Sequence, residues 1–113
     1  MNVYISGLYG EMRAAIFLKK HGIKVIEKRF HFADGEIDII AADKDTLCFV
    51  EVKYRPRGRI GEGVRSVDRN KIGRIRRAAE GYIKTHGTSG CQKCRYDIIE
   101  ITASGIRFLK NAF

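Results

Sequence analysis

The 113-residue sequence predicts one α/β domain, residues 1–113, with two helices flanking a mixed central sheet in the order α-β-β-β-α-β-β. Two stretches carry apolar residues at helical spacing, and five shorter stretches alternate apolar with polar residues. The helical stretches stand at two points around the strands, which yields layers packed on one sheet. A length of 113 residues with 44% hydrophobic and 31% charged residues and a single proline leaves room for one folded core.

Residues 6–21 read as the first helix, opened by Ser6 and closed by Gly22, with Leu8, Met12, Ala15, Ile16 and Leu18 as its apolar stripe. Glu11 lies on that stripe, so burying this face carries a carboxylate to the core or its rim. The segment "IKVIEKRFHF" at 23–32 alternates as a strand, and "ADG" supplies the turn into "GEIDIIAADKDTLCFVEVK", residues 35–53, which reads as two strands joined by a polar turn. Next comes "RPRGRIGEGVRS", whose proline, three glycines and four arginines indicate a basic loop. Residues 67–86 form the second helix, capped by Ser66 or Asp68 and ended by Gly87, with Ile72, Ile75, Ala79, Tyr82 and Ile83 on its buried face. The last strands are "RYDIIEIT" at 95–102 and "IRFLKNAF" at 106–113, joined by "ASG".

The formal net charge is +9, and +8 of it lies between Lys53 and Arg77, where ten basic residues face two acids. A solvated basic face is the plain reading. Attraction to a polyanion is the stronger one, since folding does not require such an excess, and nucleic acid is the expected partner. No apolar run approaches the length of a membrane span, and a glutamate interrupts the N-terminal stretch before any signal-like segment forms. Three cysteines suit a reducing compartment, so the expected location is cytoplasmic.

The hairpin 35–53 carries charge among Ile, Val and Phe. Strand residues two apart share a face, so Glu36 and Asp38 point one way in the first strand, as do Glu51 and Lys53 in the second. A four-residue loop, Asp43 to Thr46, sets Ala42 opposite Leu47, Asp38 opposite Glu51 and Glu36 opposite Lys53. Facing carboxylates repel, and a hard divalent cation relieves that repulsion; Mg²⁺ is commonly held by one or two carboxylates plus phosphate oxygens. Lys53 would then stabilise phosphate charge or orient an attacking water, with Glu11 completing the carboxylate set. The plainer reading pairs Glu36 with Lys53 and leaves Asp38 and Glu51 on a solvated face.

Asp38 followed by "EVK" at 51–53 is the pattern of the restriction-endonuclease-like PD-(D/E)xK nucleases. The longer set is more specific: "GE" at 10–11, "GEIDII" at 35–40, "FVEVKYR" at 49–55, Lys71, "RYD" at 95–97 and the terminal "NAF". Together these resemble the YraN family of small bacterial proteins, which are similar to archaeal Holliday junction resolvases. The resemblance covers nearly the whole chain and implies a restriction-endonuclease-like fold. It also implies Glu11, Asp38 and Glu51 as ligands of Mg²⁺ or Mn²⁺, and Lys53 as the catalytic lysine. Two departures are Lys28, where asparagine is common, and "CQKC" at 91–94.

The expected activity is hydrolysis of phosphodiesters in branched or structured DNA. Arg55, Arg57, Arg59, Arg65, Lys71 and Arg74 would hold the backbone, which gives salt-sensitive binding with little sequence discrimination. Because junction resolvases cut two strands, a homodimer is compatible with the resemblance. A nucleic-acid-binding protein without cleavage activity, or an assembly factor with an acidic partner, would use the same basic surface. Cys91, Cys94 and His86 lack a fourth ligand for zinc, Cys48 reads as core packing, and His21 and His31 read as surface residues.

Overall fold

The computed structural model describes residues 3–58 and 68–113. The order is α1 (Val3–Lys20), β1 (Lys24–Phe32), β2 (Gly35–Asp43), β3 (Thr46–Arg55), α2 (Arg69–His86), β4 (Lys93–Thr102) and β5 (Gly105–Leu109). The strands lie side by side in sequence order, with β3 and β4 parallel and every other neighbouring pair antiparallel. This mixed sheet with a helix on each face is a restriction-endonuclease-like α/β fold. Arg59 and Arg65 lie outside the described residues.

Two apolar layers sandwich the sheet. Ala14, Ala15 and Leu18 of α1 pack on Ile39, Ala41, Cys48, Val50, Ile99 and Ile101. On the other face Ile75, Ala78, Ala79 and Tyr82 of α2 pack on Phe30, Ile37, Ile40, Leu47 and Phe49. A fully buried leucine such as Leu18 contributes roughly 1.5–3 kcal/mol by leaving water.

The first helix ends in a Schellman arrangement: Ile23 N donates to Leu18 O at 2.9 Å and Gly22 N to Lys19 O at 3.1 Å. Its buried face differs from the expected stripe. Leu8, Met12 and Ile16 are 37%, 47% and 48% exposed, while Ala14, Ala15 and Leu18 go inside with Glu11. Small alanines let the helix lie close to the sheet, which turns the bulkier side chains outward.

Asp68 caps α2 by accepting from Lys71 N at 2.9 Å, one of the two caps the sequence offered. The final strand is shorter than expected, stopping at Leu109. The chain then folds back: Asn111 N donates to Asp97 Oδ1 at 2.8 Å, Ala112 N to Tyr96 O at 2.7 Å, and Phe113 stacks on Tyr96. Asp97 is fully buried and also accepts from Arg95 Nε at 2.8 and 3.0 Å. The "RYD" and "NAF" segments are therefore two halves of one clasp.

Candidate active site

The β2–β3 hairpin has the expected register, with Ala42 opposite Leu47 and Ile39 opposite Val50, although the turn tightens to two residues because Asp43 pairs with Thr46. The ladder ends at Ile39 and Val50, one step before Asp38 and Glu51 would face each other. There β2 switches layers: Ile39 and Ala41 face α1, but Ile37 joins Ile40 on the α2 side. At the break the Asp38 side chain replaces a ladder carbonyl, its Oδ2 accepting from Val52 N at 2.8 Å.

The expected pairing of Glu36 with Lys53 does not form. Glu36 is exposed, lies across from His31 on β1, and sits 3.6 Å from its Nε2. Because the strands have parted, Lys53 stays with its own strand, its Nζ 3.3 Å from Glu51 Oε1; these two residues are only 6% and 7% exposed. Lys71 reaches in from α2 and places its Nζ 3.0 Å from the same oxygen. Sequence reading assigned Lys71 to the backbone-binding surface; the fold brings it into the carboxylate cluster.

Glu11 reaches the site because α1 crosses the end of β3 closely. A Cβ on Gly10 would lie 2.7 Å from Tyr54 Cβ, so any side chain there would push Glu11 away. Glu11 Oε1 accepts from Arg29 Nε at 2.8 Å. Arg29 stands in β1 between the Lys28–Ile39 and Phe30–Ile37 pairs, opposite Asp38, with a φ of 55°. That left-handed backbone is strained for arginine and helps turn the strand at the level of Asp38.

Burial raises the Asp38 carboxyl well above its ordinary value, and the Glu51 charge adds to it; the Val52 hydrogen bond opposes, while Glu11 and Glu36 push further upward. Burial lowers Lys53, and its hydrogen bond with Lys71 lowers it again, against the pull of Glu51. Burial alone would lower Lys71, but the hydrogen bond with Lys53 and the Glu51 charge leave it raised.

Among the described residues no three His, Cys, Asp or Glu side chains come close enough together to hold a metal ion. Glu11 is drawn to Arg29, so the expected set of three carboxylates is not assembled. Asp38 and Glu51 remain, two acidic groups whose mutual repulsion is felt at Asp38; that donor chemistry fits a hard divalent cation, which needs only one or two carboxylates when phosphate oxygens complete its shell.

A family model described as "Uncharacterised protein family UPF0102" matches residues 10–101. The chain belongs to that family. UPF0102 is the YraN family, and the match spans Glu11, the hairpin, Lys71 and Glu100. A UPF0102 protein of Shewanella woodyi is 40% identical over 107 residues, covering 95% of this chain and 90% of the relative. One from Cytophaga hutchinsonii is 41% identical over 96 residues, covering 85% and 83%. A third, from Nitrosococcus oceani, is 34% identical over 111 residues, covering 95% and 90%.

Two site residues escaped sequence reading. Arg29 gave no signal, since a left-handed residue in a strand has no signature unless it is glycine. Glu100 is fully buried and stands opposite Lys53 in the parallel β3–β4 ladder. Its alternation in "DIIEIT" was visible, but its neighbour depends on a register that a crossover leaves open. Arg55 and Arg57 are exposed at the end of β3 and in the turn beyond, and Arg74 is half-buried on α2.

Proposed function

We propose that this UPF0102 protein is a divalent-metal-dependent nuclease acting on branched or structured DNA. The observation that carries the reading is the Asp38–Glu51–Lys53–Lys71 cluster, in which a half-buried and a buried acid meet two lysines beside the basic end of β3 and α2. Asp38 and Glu51 would hold Mg²⁺ or Mn²⁺, which when bound would supply Lewis-acid stabilisation of phosphate charge. Lys53, whose charge burial disfavours and Glu51 holds, is placed to orient an attacking water, and Lys71 to carry the developing phosphate charge. Arg55 and Arg57 hold the backbone alongside, and a second copy of the chain would serve the second strand of a junction.

A specific observation favours a second reading, nucleic-acid binding without cleavage: Glu11 and Glu51 are already ion-paired with Arg29, Lys53 and Lys71. One experiment separates the two. Four-way junction, flap and duplex DNA are incubated with the chain in Mg²⁺ or Mn²⁺, alongside Asp38→Ala and Lys53→Ala. Cleavage lost in both variants with binding retained supports the nuclease. Absence of cleavage of any geometry with either metal, together with no metal-dependent change in stability, refutes it.

A further inference from the structure

Away from the carboxylates, a cleft of about 300 Å³ opens between the β1–β2 turn and the first half of α2, lined by Asp34, Arg69, Asn70, Gly73, Arg74 and Arg77. Its wall is set by a close backbone approach: a Cβ on Gly35 would lie 2.3 Å from Arg74 O. Three guanidinium groups share this space with one carboxylate. Asp34 accepts two contacts from Arg77 Nη2, at 3.3 and 3.1 Å, whereas Arg69 and Arg74 make no ion pair among the described residues. The Arg77 hydrogen bond, with Arg77 and Arg74 charge, holds the Asp34 carboxyl below its ordinary value. Arg74 and Arg77 are one turn apart, a like-charge spacing that destabilises a helix unless an anion sits between them. Neighbouring Arg76 is engaged elsewhere, over the Tyr96 ring.

We propose that this cleft is a phosphodiester subsite for the nucleic-acid strand, in which Asp34 is a resident counter-ion that Arg77 exchanges for a backbone phosphate. The proposal rests on the reading of the protein as a nuclease and adds where the strand runs. Guanidinium forks match phosphate oxygens in pairs, and the cleft holds a net surplus of two positive charges. Lys71, which touches Glu51, belongs to the same two turns of α2; Arg77 lies about 9 Å further along the axis at 1.5 Å per residue. A strand whose reacting phosphate meets Lys71 therefore enters the cleft within its next nucleotides.

The test is binding of a labelled four-way junction to the full chain in EDTA, over a salt series, for wild type, the double variant Arg69→Ala/Arg74→Ala, and Asp34→Asn. The double variant is expected to bind about tenfold more weakly, with the slope of log K against log salt shallower by about 2. Asp34→Asn is expected to bind about threefold more tightly with a steeper slope, a gain that misfolding cannot produce. If wild type binds in EDTA and cuts in the Mg²⁺ or Mn²⁺ assay while the double variant keeps its affinity and slope, the subsite is refuted and the nuclease stands. If nothing is cut in the Mg²⁺ or Mn²⁺ assay but binding in EDTA follows both variants as described, the nuclease reading fails and the cleft stands as a backbone site of a binding protein. Failure of wild type to bind any nucleic acid refutes the subsite. So does attachment of the cleft arginines to phosphatidylglycerol vesicles with junction binding unaltered.

Discussion

Replacing Asp38 by asparagine should stabilise the metal-free protein at neutral pH. The carboxylate stands beside Glu51, partly buried, accepts the Val52 N–H at 2.8 Å and feels the Lys71 charge. An asparagine in its place keeps an oxygen for that hydrogen bond while removing the charge. Like charges directly opposite across strands destabilise a sheet by up to about 1 kcal/mol; Asp38 and Glu51 stand just beyond the last ladder pair, so that figure is the ceiling of the gain, about 5 °C in Tm for a domain of this length. The sign follows from protonation. Folded Asp38 holds its proton to a higher pH than the unfolded chain, whose ordinary value is 3.8. The wild type therefore loses stability as pH rises from there through the raised folded value, and asparagine is spared the loss.

Thermal unfolding in EDTA across pH should show the two proteins converging toward about pH 4 and separating at about pH 7. Added Mn²⁺ should raise the wild-type Tm, by the equivalent of about 2.7 kcal/mol at about one hundred times its dissociation constant, and raise that of Asp38→Asn far less. A variant less stable than wild type at neutral pH without metal, by a margin independent of pH, would refute the placement of a strained charge at Asp38.

Gly35→Ala should destabilise by about 3 kcal/mol in urea, because its methyl would meet Arg74 O at 2.3 Å and Ala78 Cβ at 3.1 Å. Asp97→Ala, which removes the acceptor of Arg95 Nε and of the Asn111 N–H while Arg95 Nη2 keeps Asp43 at 3.0 Å, should cost about 2–3 kcal/mol and speed hydrogen exchange at Asn111. Arg29→Gly and Arg29→Ala both lose the Glu11 pair, but at a φ of 55° glycine should be the more stable by about 1 kcal/mol; equal stabilities would argue against the left-handed backbone there. The Cys48 thiol, pushed up to about 12 by burial, should react with a disulfide reagent only on unfolding, after exposed Cys94.

Much of the fold was legible because its signals are local. Gly22, Asp68 and Gly87 mark helix ends by capping chemistry, and the period of two in β2 and β3 sets the hairpin register. The misjudged parts depend on neighbours that sequence spacing does not identify. Met12 and Ile16 have helical spacing suited to a core, yet α1 presents its alanines because only small residues permit the close crossing at Gly10. Phe113 continues the alternation of β5, but the buried Asp97 carboxylate captures Asn111 first and bends the chain away.

The candidate site was half legible for a related reason. Alternation presumes that a strand keeps its faces, and β2 exchanges them at Asp38, where Arg29 across the ladder has a left-handed backbone. Had the ladder continued, Val52 N–H would have met a backbone carbonyl, and Asp38 would have been one more polar side chain on a regular hairpin. Because the ladder stops, the backbone donor can be satisfied only by a side chain, and the one in place is acidic. Satisfying Val52 thus fixes a carboxyl group next to Glu51, and Glu51 in turn draws Lys53 and Lys71 inward. The register of "GEID" against "VEVK" predicts which residues approach one another; the interruption of that register gives them their altered protonation.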